Sequence, residues 1–284
     1  MRVALALVAA LAGLFVTAAG ASDDATPPPP PPPAPSVEAL KGVNFVSACG
    51  FSHRATDDPI VYPKQPGASH DHSFVGNRST NASSKLFSLR QAGTTCHRPL
   101  DKAAYWMPTL LVDGQPVTPR MSQVYYRRGT LAGVTAFPQG FKLVAGNAMA
   151  MSPQARRVTY WNCGAEGGVE PSSTVPTCPD TRTNSLRLHV TFPDCWDGQR
   201  LDSPDHKSHA AYSTRAVCPA SHPVAIPRIS LIYTYSVTGG PTTTLASGSQ
   251  FSAHGDFFNA WDAAELERLV DGCLNALRHC QRGD

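Results

Sequence analysis

Eight cysteines in a chain of 284 residues constrain this fold more than any other feature. They are Cys49, Cys96, Cys163, Cys178, Cys195, Cys218, Cys273 and Cys280, and none forms a CxxC pair or the paired short spacings of a zinc module. An even count spaced in this way reads as a disulfide framework, which persists where the compartment is oxidising. The count allows on the order of a hundred pairings, and spacing alone does not choose among them. Geometry weighs one. On a helix, Cys273 and Cys280 would stand about 10.5 Å apart along the axis, beyond the ~7 Å limit for bridged α-carbons. They are therefore expected to find separate partners unless the helix ends early.

The N-terminus points to the same compartment. Arg2 precedes an apolar run from Val3 to Val16, and Ala19-Gly20-Ala21 is the small-x-small pattern that signal peptidases cut after. The run is shorter than the ~20 residues of a membrane span, and Asp23 and Asp24 follow it. Residues 1–21 are thus expected to be a signal peptide. Residues 22–41, with an unbroken proline run from Pro27 to Pro33, read as an extended linker. Residues 42–284 remain as a single globular domain, secreted or extracytoplasmic, with no membrane span once the signal is removed. The net charge of +3 is scattered, with Arg127-Arg128 and Arg156-Arg157 as its paired basic residues. A nucleic-acid partner would want a stripe or cluster, so none is expected.

The body reads as mainly β. Strand-like segments are Lys85 to Arg90, Gln123 to Arg127, Phe141 to Ala145, Arg157 to Trp161, Leu186 to Phe192 and Ile229 to Val237. In the fifth, Leu186, Leu188, Val190 and Phe192 share one face, as a half-buried strand requires. Near the C-terminus, Leu266, Leu269, Val270, Cys273, Leu274 and Leu277 follow helical spacing, with Asp262 and Glu265 as a capping-box-like start. The expected architecture is a β-sandwich-like core with long loops and one C-terminal helix docked on it.

Chemistry-bearing side chains concentrate in four stretches. They are Ser69 to Asn77 with His70 and His72, Phe192 to Gly198 with Asp194, Trp196 and Asp197, Asp202 to His209 with His206 and Lys207, and His254 to Asp262 with Asp256 and Asn259. On a strand, His70 and His72 point the same way and could share a metal or grip one substrate. Each residue also has an ordinary role: Asp194 and Asp197 close a turn, Asp262 caps a helix, and the tryptophans pack. No Gly-x-Ser-x-Gly elbow, His-Glu-x-x-His, phosphate loop or dinucleotide fingerprint is present, so standard hydrolase, zinc-protease, nucleotide and redox-cofactor readings lose weight and the cofactor is left open.

At these residues the chain resembles a family of exported domains of unknown function, numbered nineteen ninety-six, found in fungi and bacteria. The resemblance rests on Asp58-Pro59-Ile60-Val61, Ser69-His70-Asp71-His72, Tyr105 to Leu110, Ala136 to Phe141, Ala145-Gly146-Asn147, Phe192 to Gly198, Asp205 to His209, Cys218 to Val224, His254 to Phe257 and Trp261-Asp262. It implies export and, in fungal relatives, association with wall- or carbohydrate-binding modules. It supplies no agreed activity. This chain has His-Asp-His where many relatives carry His-Val-His, and Asn147 where Asp is common, which removes a carboxylate there.

The leading expectation is an exported carbohydrate-active protein that cleaves an extracellular or cell-wall polysaccharide by acid–base chemistry, since neighbouring groups can tune imidazoles and carboxyls towards the working pH. Its cleft would be lined by His70, His72, Asp194, Asp197, His209, His254 and Asp256. Trp196, Lys207, Tyr212 and Asn259 would hold the sugar. A hydrolase would pair Asp197 with Asp256 across the glycosidic bond; a lyase would use His209 or His254 as base. The alternatives are a non-catalytic glycan- or wall-binding protein and a metal site built from His70, His72, His206 and His209.

Overall fold

Alternation of apolar and polar side chains decides most of the architecture, because it gives each strand one face to bury. The computed structural model describes residues 35–164 and 169–281. The expected signal peptide and most of the expected linker lie outside the described residues. The main strands are Asn44–Cys49 (β1), Phe51–Ala55 (β2), His72–Gly76 (β3), Ala104–Pro108 (β4), Pro119–Arg127 (β5), Lys142–Gly146 (β6), Thr159–Cys163 (β7), Leu186–Thr191 (β8), Arg228–Tyr235 (β9) and His254–Phe258 (β10). They form two antiparallel five-stranded sheets, ordered β1-β5-β9-β8-β7 and β2-β3-β4-β10-β6. The chain steps from the first sheet to the second at Gly50, between β1 and β2.

The inner faces of the two sheets share one apolar core. Phe45, Val124, Leu188, Val190, Leu231 and Tyr233 come from the first sheet, and Val75, Tyr105, Met107, Leu143 and Phe257 from the second. A buried polar relay crosses this core. Trp261 Nε1 donates to Tyr126 OH at 2.9 Å, and Tyr126 OH lies 2.5 Å from Tyr105 OH. Tyr105 OH donates to the Asp101 carboxyl at 3.0 Å, and Ser47 Oγ donates to it at 2.6 Å. The relay ties β1, β4, β5 and the start of the C-terminal helix together.

The helix Leu86–Gln91 (α1) stands where a strand is expected over Lys85 to Arg90. The alternation there is misleading. Leu89 is buried while Phe87 is 73% exposed, and Ser88 Oγ accepts from the Lys85 amide to close the first turn. The C-terminal helix Ala263–Leu269 (α2) begins at Asp262, whose side chain accepts from the Glu265 amide. It buries Leu266 and Leu269 but stops short of the expected Leu277. The next turn, Val270–Asn275, is a wider π turn, and Leu277 adopts a left-handed φ of 55°.

That early stop corrects the expectation for the last two cysteines. The chain turns back, the Arg278 amide donates to Cys273 O at 2.7 Å, and Cys273 and Cys280 bond with α-carbons 5.8 Å apart. The other bridges are Cys49–Cys96, Cys163–Cys178 and Cys195–Cys218, and no described cysteine is free. No described helix is long and apolar enough to cross a membrane.

A second, smaller core lies on the outer face of the second sheet, where Ile60 packs among Phe74, Trp106, Val144 and Phe258. Ile60 belongs to the loop between β2 and β3, so this contact lays that loop across the sheet. Asp58 anchors the turn by accepting from the Ile60 and Val61 amides at 2.8 and 2.9 Å.

Burial pushes the Asp101 carboxyl from 3.8 up to about 7, against the opposing hydrogen bonds from Ser47 and Tyr105. The folded protein therefore holds this proton more tightly than the unfolded chain. The stabilisation is complete below about pH 4 and is lost as pH rises to about 7, by at most about 4 kcal/mol. Asp101→Asn should flatten the stability profile over that interval. Urea unfolding of both proteins from pH 4 to pH 7 checks this; parallel profiles would show that Asp101 does not titrate there.

Candidate metal centre

The register of the second sheet places two histidines in one row. His72 on β3 is opposite Pro108 on β4. Asp256 on β10 is opposite Trp106, so the same register carried two residues on sets His254 opposite Pro108 as well. Two strand spacings, about 10 Å, separate the His72 and His254 backbones. The compact proline between them leaves room for the imidazoles to lean together. Their Nε2 atoms are 3.3 Å apart. His70, at the end of the covering loop, brings its own Nε2 to 3.2 Å from that of His254.

The opposite edges of two of these rings fix their tautomers. Nδ1 of His72 donates to Asp57 O at 3.1 Å, and Nδ1 of His254 donates to Ser252 O at 2.9 Å. In the neutral rings both Nε2 atoms are therefore bare, and two lone pairs face each other at hydrogen-bond distance with no proton between them. Burial lowers His70 to about 4 and His254 to about 3, with the His70 charge adding to the latter. Burial likewise holds His72 well below its ordinary value, with His70 and His254 adding to the effect. The rings are neutral at physiological pH, so the Nε2 lone pairs of His72 and His254 are open to a cation or, at His254, to a proton from His70 Nε2 at 3.2 Å.

A carboxyl lies beside this set. Asp256 projects from the same face of β10, fully buried, and neither of its oxygens has a hydrogen-bond partner. Burial, then the Asp58 charge, pushes it well above the usual carboxylate range. Donor atoms of His70, His72 and His254 lie within 4.8 Å of one another, as do those of Asp58, His72 and Asp256. Imidazole nitrogens bound tetrahedrally at ~2.0–2.1 Å stand about 3.3–3.4 Å apart, close to the separations found. Backbone carbonyls on the remote ring nitrogens are the usual outer support of such ligands. Gly146, across from His254 on β6, allows the close approach: its φ is +83°, and a Cβ would sit 2.9 Å from the His254 α-carbon.

In front of the rings opens a cleft of about 310 Å³, bordered by His70, His254, Asp256, Asp58, His206 and Lys207. Lys207 Nζ is held by Gly146 O at 2.6 Å. Of the residues expected from sequence, His70, His72, His254, Asp256 and Lys207 come together here. His206 borders the cleft but turns its Nδ1 to Asp202 at 2.9 Å.

The remaining expected site residues are placed elsewhere. His209 is buried between Ser203 Oγ and Lys142 O, at 2.8 and 2.7 Å, so both ring nitrogens are engaged. The expected four-histidine metal set is corrected accordingly, with His254 in the position expected for His206 and His209. Asp194 is fully buried and paired with Arg228 and Ser213. Asp197 closes a turn; desolvation is outweighed there by the Arg200 and Gln199 amides and the Arg200 guanidinium, which hold it at about 2. It does not border the cleft, so the expected Asp197–Asp256 pair is not assembled. Trp196 donates to Arg200 O at 2.7 Å and packs on Phe141. Asn259 is buried, donating to Phe137 O and Pro138 O. Tyr212 donates to Thr191 O at 2.8 Å outside the cleft. Asp58 carries no motif that marks it as a site residue beyond its Asp-Pro turn.

Fold and site together define a disulfide-bonded β protein built around two five-stranded sheets, with a three-imidazole cluster on an outer sheet face. The chain belongs to the family described as Domain of unknown function (DUF1996), whose model matches residues 58–261. That span begins at Asp58 and ends at Trp261, so it contains the whole cluster. No curated protein and no solved structure matches the chain.

A bound ion at about 100 times its dissociation constant would add about 2.7 kcal/mol, or a Tm rise of about 5–10 °C for a domain of this size. Zinc or cobalt added to metal-stripped protein should give that rise at one ion per chain. His70→Ala and His254→Ala should abolish it, while exposed His279→Ala should keep it. Equal shifts in all three variants would mean the ion binds elsewhere.

Proposed function

We propose that this protein is an exported carbohydrate-active protein that cleaves an extracellular or wall polysaccharide, and that its working centre is a transition-metal site on His70, His72 and His254. The observation that carries the reading is the pair of bare Nε2 atoms of His72 and His254 held face to face beside a third imidazole. Imidazole donors suit zinc, copper, iron and nickel rather than calcium or magnesium. His70, His72 and His254 would hold such an ion, and when bound it would supply Lewis acidity to a water or a substrate oxygen.

The chain's own groups divide the remaining work. Asp256 is the buried carboxyl beside the imidazoles and is placed to hold or accept a proton at its Oδ atoms. Lys207 supplies a cation at the rim, where it can hold a sugar oxygen or carboxylate. Four disulfides support an oxidising, extracytoplasmic setting. Asp197 lies outside the cleft, so the Asp197–Asp256 pair does not support a two-carboxylate hydrolase.

Metal-loaded protein incubated with a panel of wall and extracellular glycans should release new reducing ends or unsaturated products. His254→Ala should lower that rate at least a hundredfold, in the range expected for loss of electrostatic transition-state stabilisation. Glycan binding without products would leave the non-catalytic alternative. Stoichiometric metal with neither binding nor turnover would overturn the carbohydrate reading and leave the metal site.

A further inference from the structure

The outer face of the first sheet carries an arrangement that the metal cleft does not use. A hollow of about 550 Å³ is bordered by Lys41, Arg127, Arg128, Arg157, Arg215 and Arg228, with no Asp or Glu among the described residues that line it; Lys41 is paired with Glu38 at 2.8 Å. Arg127 on β5 and Arg228 on β9 are direct cross-strand partners, although like charges placed opposite each other destabilise a sheet. The buried Asp194 neutralises Arg228 from below. Arg128 is turned to the carbonyls of Thr130 and Leu131.

Three guanidiniums are left over. Arg127 lies over the Tyr125 ring at 4.5 Å, and Arg157 over the Tyr212 ring at 5.6 Å. Among the described residues, Arg127, Arg157 and Arg215 make no ion pair. A guanidinium backed by an aromatic ring is held flat with its N–H edges outward, the form that takes a carboxylate or sulfate through paired hydrogen bonds.

The hollow also adjoins the metal cleft. A smaller hollow of about 260 Å³ shares Tyr212 with the arginine hollow. It shares Val144, Asn147, His206 and Lys207 with the cleft. Three depressions therefore follow one another along the surface, with cations at one end, Tyr212 at the first junction, and Lys207 and the imidazoles at the other end.

We propose that this surface takes one acidic polysaccharide chain, whose carboxylate or sulfate groups sit on Arg127, Arg157 and Arg215 while the chain passes Tyr212 towards the three imidazoles. The inference deepens the carbohydrate reading by naming its substrate class, and rests on that reading for the polymer's identity. A nucleic acid is a poorer fit. Its repeating phosphates want a basic patch or stripe longer than three unpaired guanidiniums, and one face of each of Tyr125 and Tyr212 is already turned to a guanidinium rather than to a base.

The test is a binding titration of the full chain, metal-loaded and metal-stripped, against polygalacturonate, heparin, a neutral β-glucan and single-stranded DNA. The acidic glycans should bind, and the neutral glucan at least tenfold more weakly. The double variant R157Q/R215Q, altered at two exposed side chains, should lose about tenfold or more for acidic glycans, with a shallower salt dependence. Preference between polygalacturonate and heparin assigns carboxylate or sulfate as the anion. The proposal is overturned by equal binding of neutral glucan, by affinity that the double variant leaves unchanged, or by DNA bound in preference. Metal content is read on the same samples, so a failure of the arginine hollow is separable from a failure of the imidazole site.

Discussion

Ile60 holds the functional face in place. Its side chain packs in the outer core of the second sheet and, with the hydrogen bonds of Asp57 and Asp58, lays the loop that delivers Asp57, Asp58 and His70 across that sheet. Without that cover, His72 and His254 would be ordinary solvated imidazoles on a sheet surface. With it they lose water, their basicity falls, and their remote nitrogens are committed to the backbone carbonyls of Asp57 and Ser252. Burying polar groups in this way is costly unless their hydrogen-bonding capacity is satisfied. The three Nε2 atoms gather at one place, where one cation would engage them together, and the unpartnered Asp256 carboxyl lies beside His72.

The two faces of the protein divide the chemistry. The inner core is occupied by large apolar and aromatic side chains and by the relay from Asp101 to Trp261, which links the two sheets. The outer face of the second sheet holds the imidazoles. Arginines gather on the outer face of the first, where the opposition of Arg127 and Arg228 sets a positive potential that Asp194 offsets only in part. A ligand that is both polyhydroxylated and anionic would satisfy both surfaces.

Much of this was legible in the chain, and the parts that were not share a cause. His70 and His72 announce themselves by i, i+2 spacing, and His254 and Asp256 repeat that spacing on another strand. Histidine spacing cannot, however, say which rings meet. His209 looks equivalent in sequence, yet its ring is spent between Ser203 and Lys142. Asp194 and Asp197 sit in a conspicuous Asp-Cys-Trp-Asp run, yet one neutralises a buried arginine and the other closes a turn. The segment around Ser88 alternates like a strand, but only Leu86 and Leu89 find apolar neighbours, and a capped helical turn is what remains.

Local sequence determined the elements with strong periodicity, the Asp262 cap, the even cysteine set and the residues able to do chemistry, because each depends on neighbours within a turn or a strand. Tertiary structure decided the rest. It set which cysteines pair, since only the π turn after Leu269 brings Cys280 back to Cys273. It also chose His254 as the third imidazole, since only the order β3-β4-β10 with Pro108 between the rings lets those two side chains meet. Contacts between strands far apart in sequence depend on sheet order and register, and no short-range pattern encodes either.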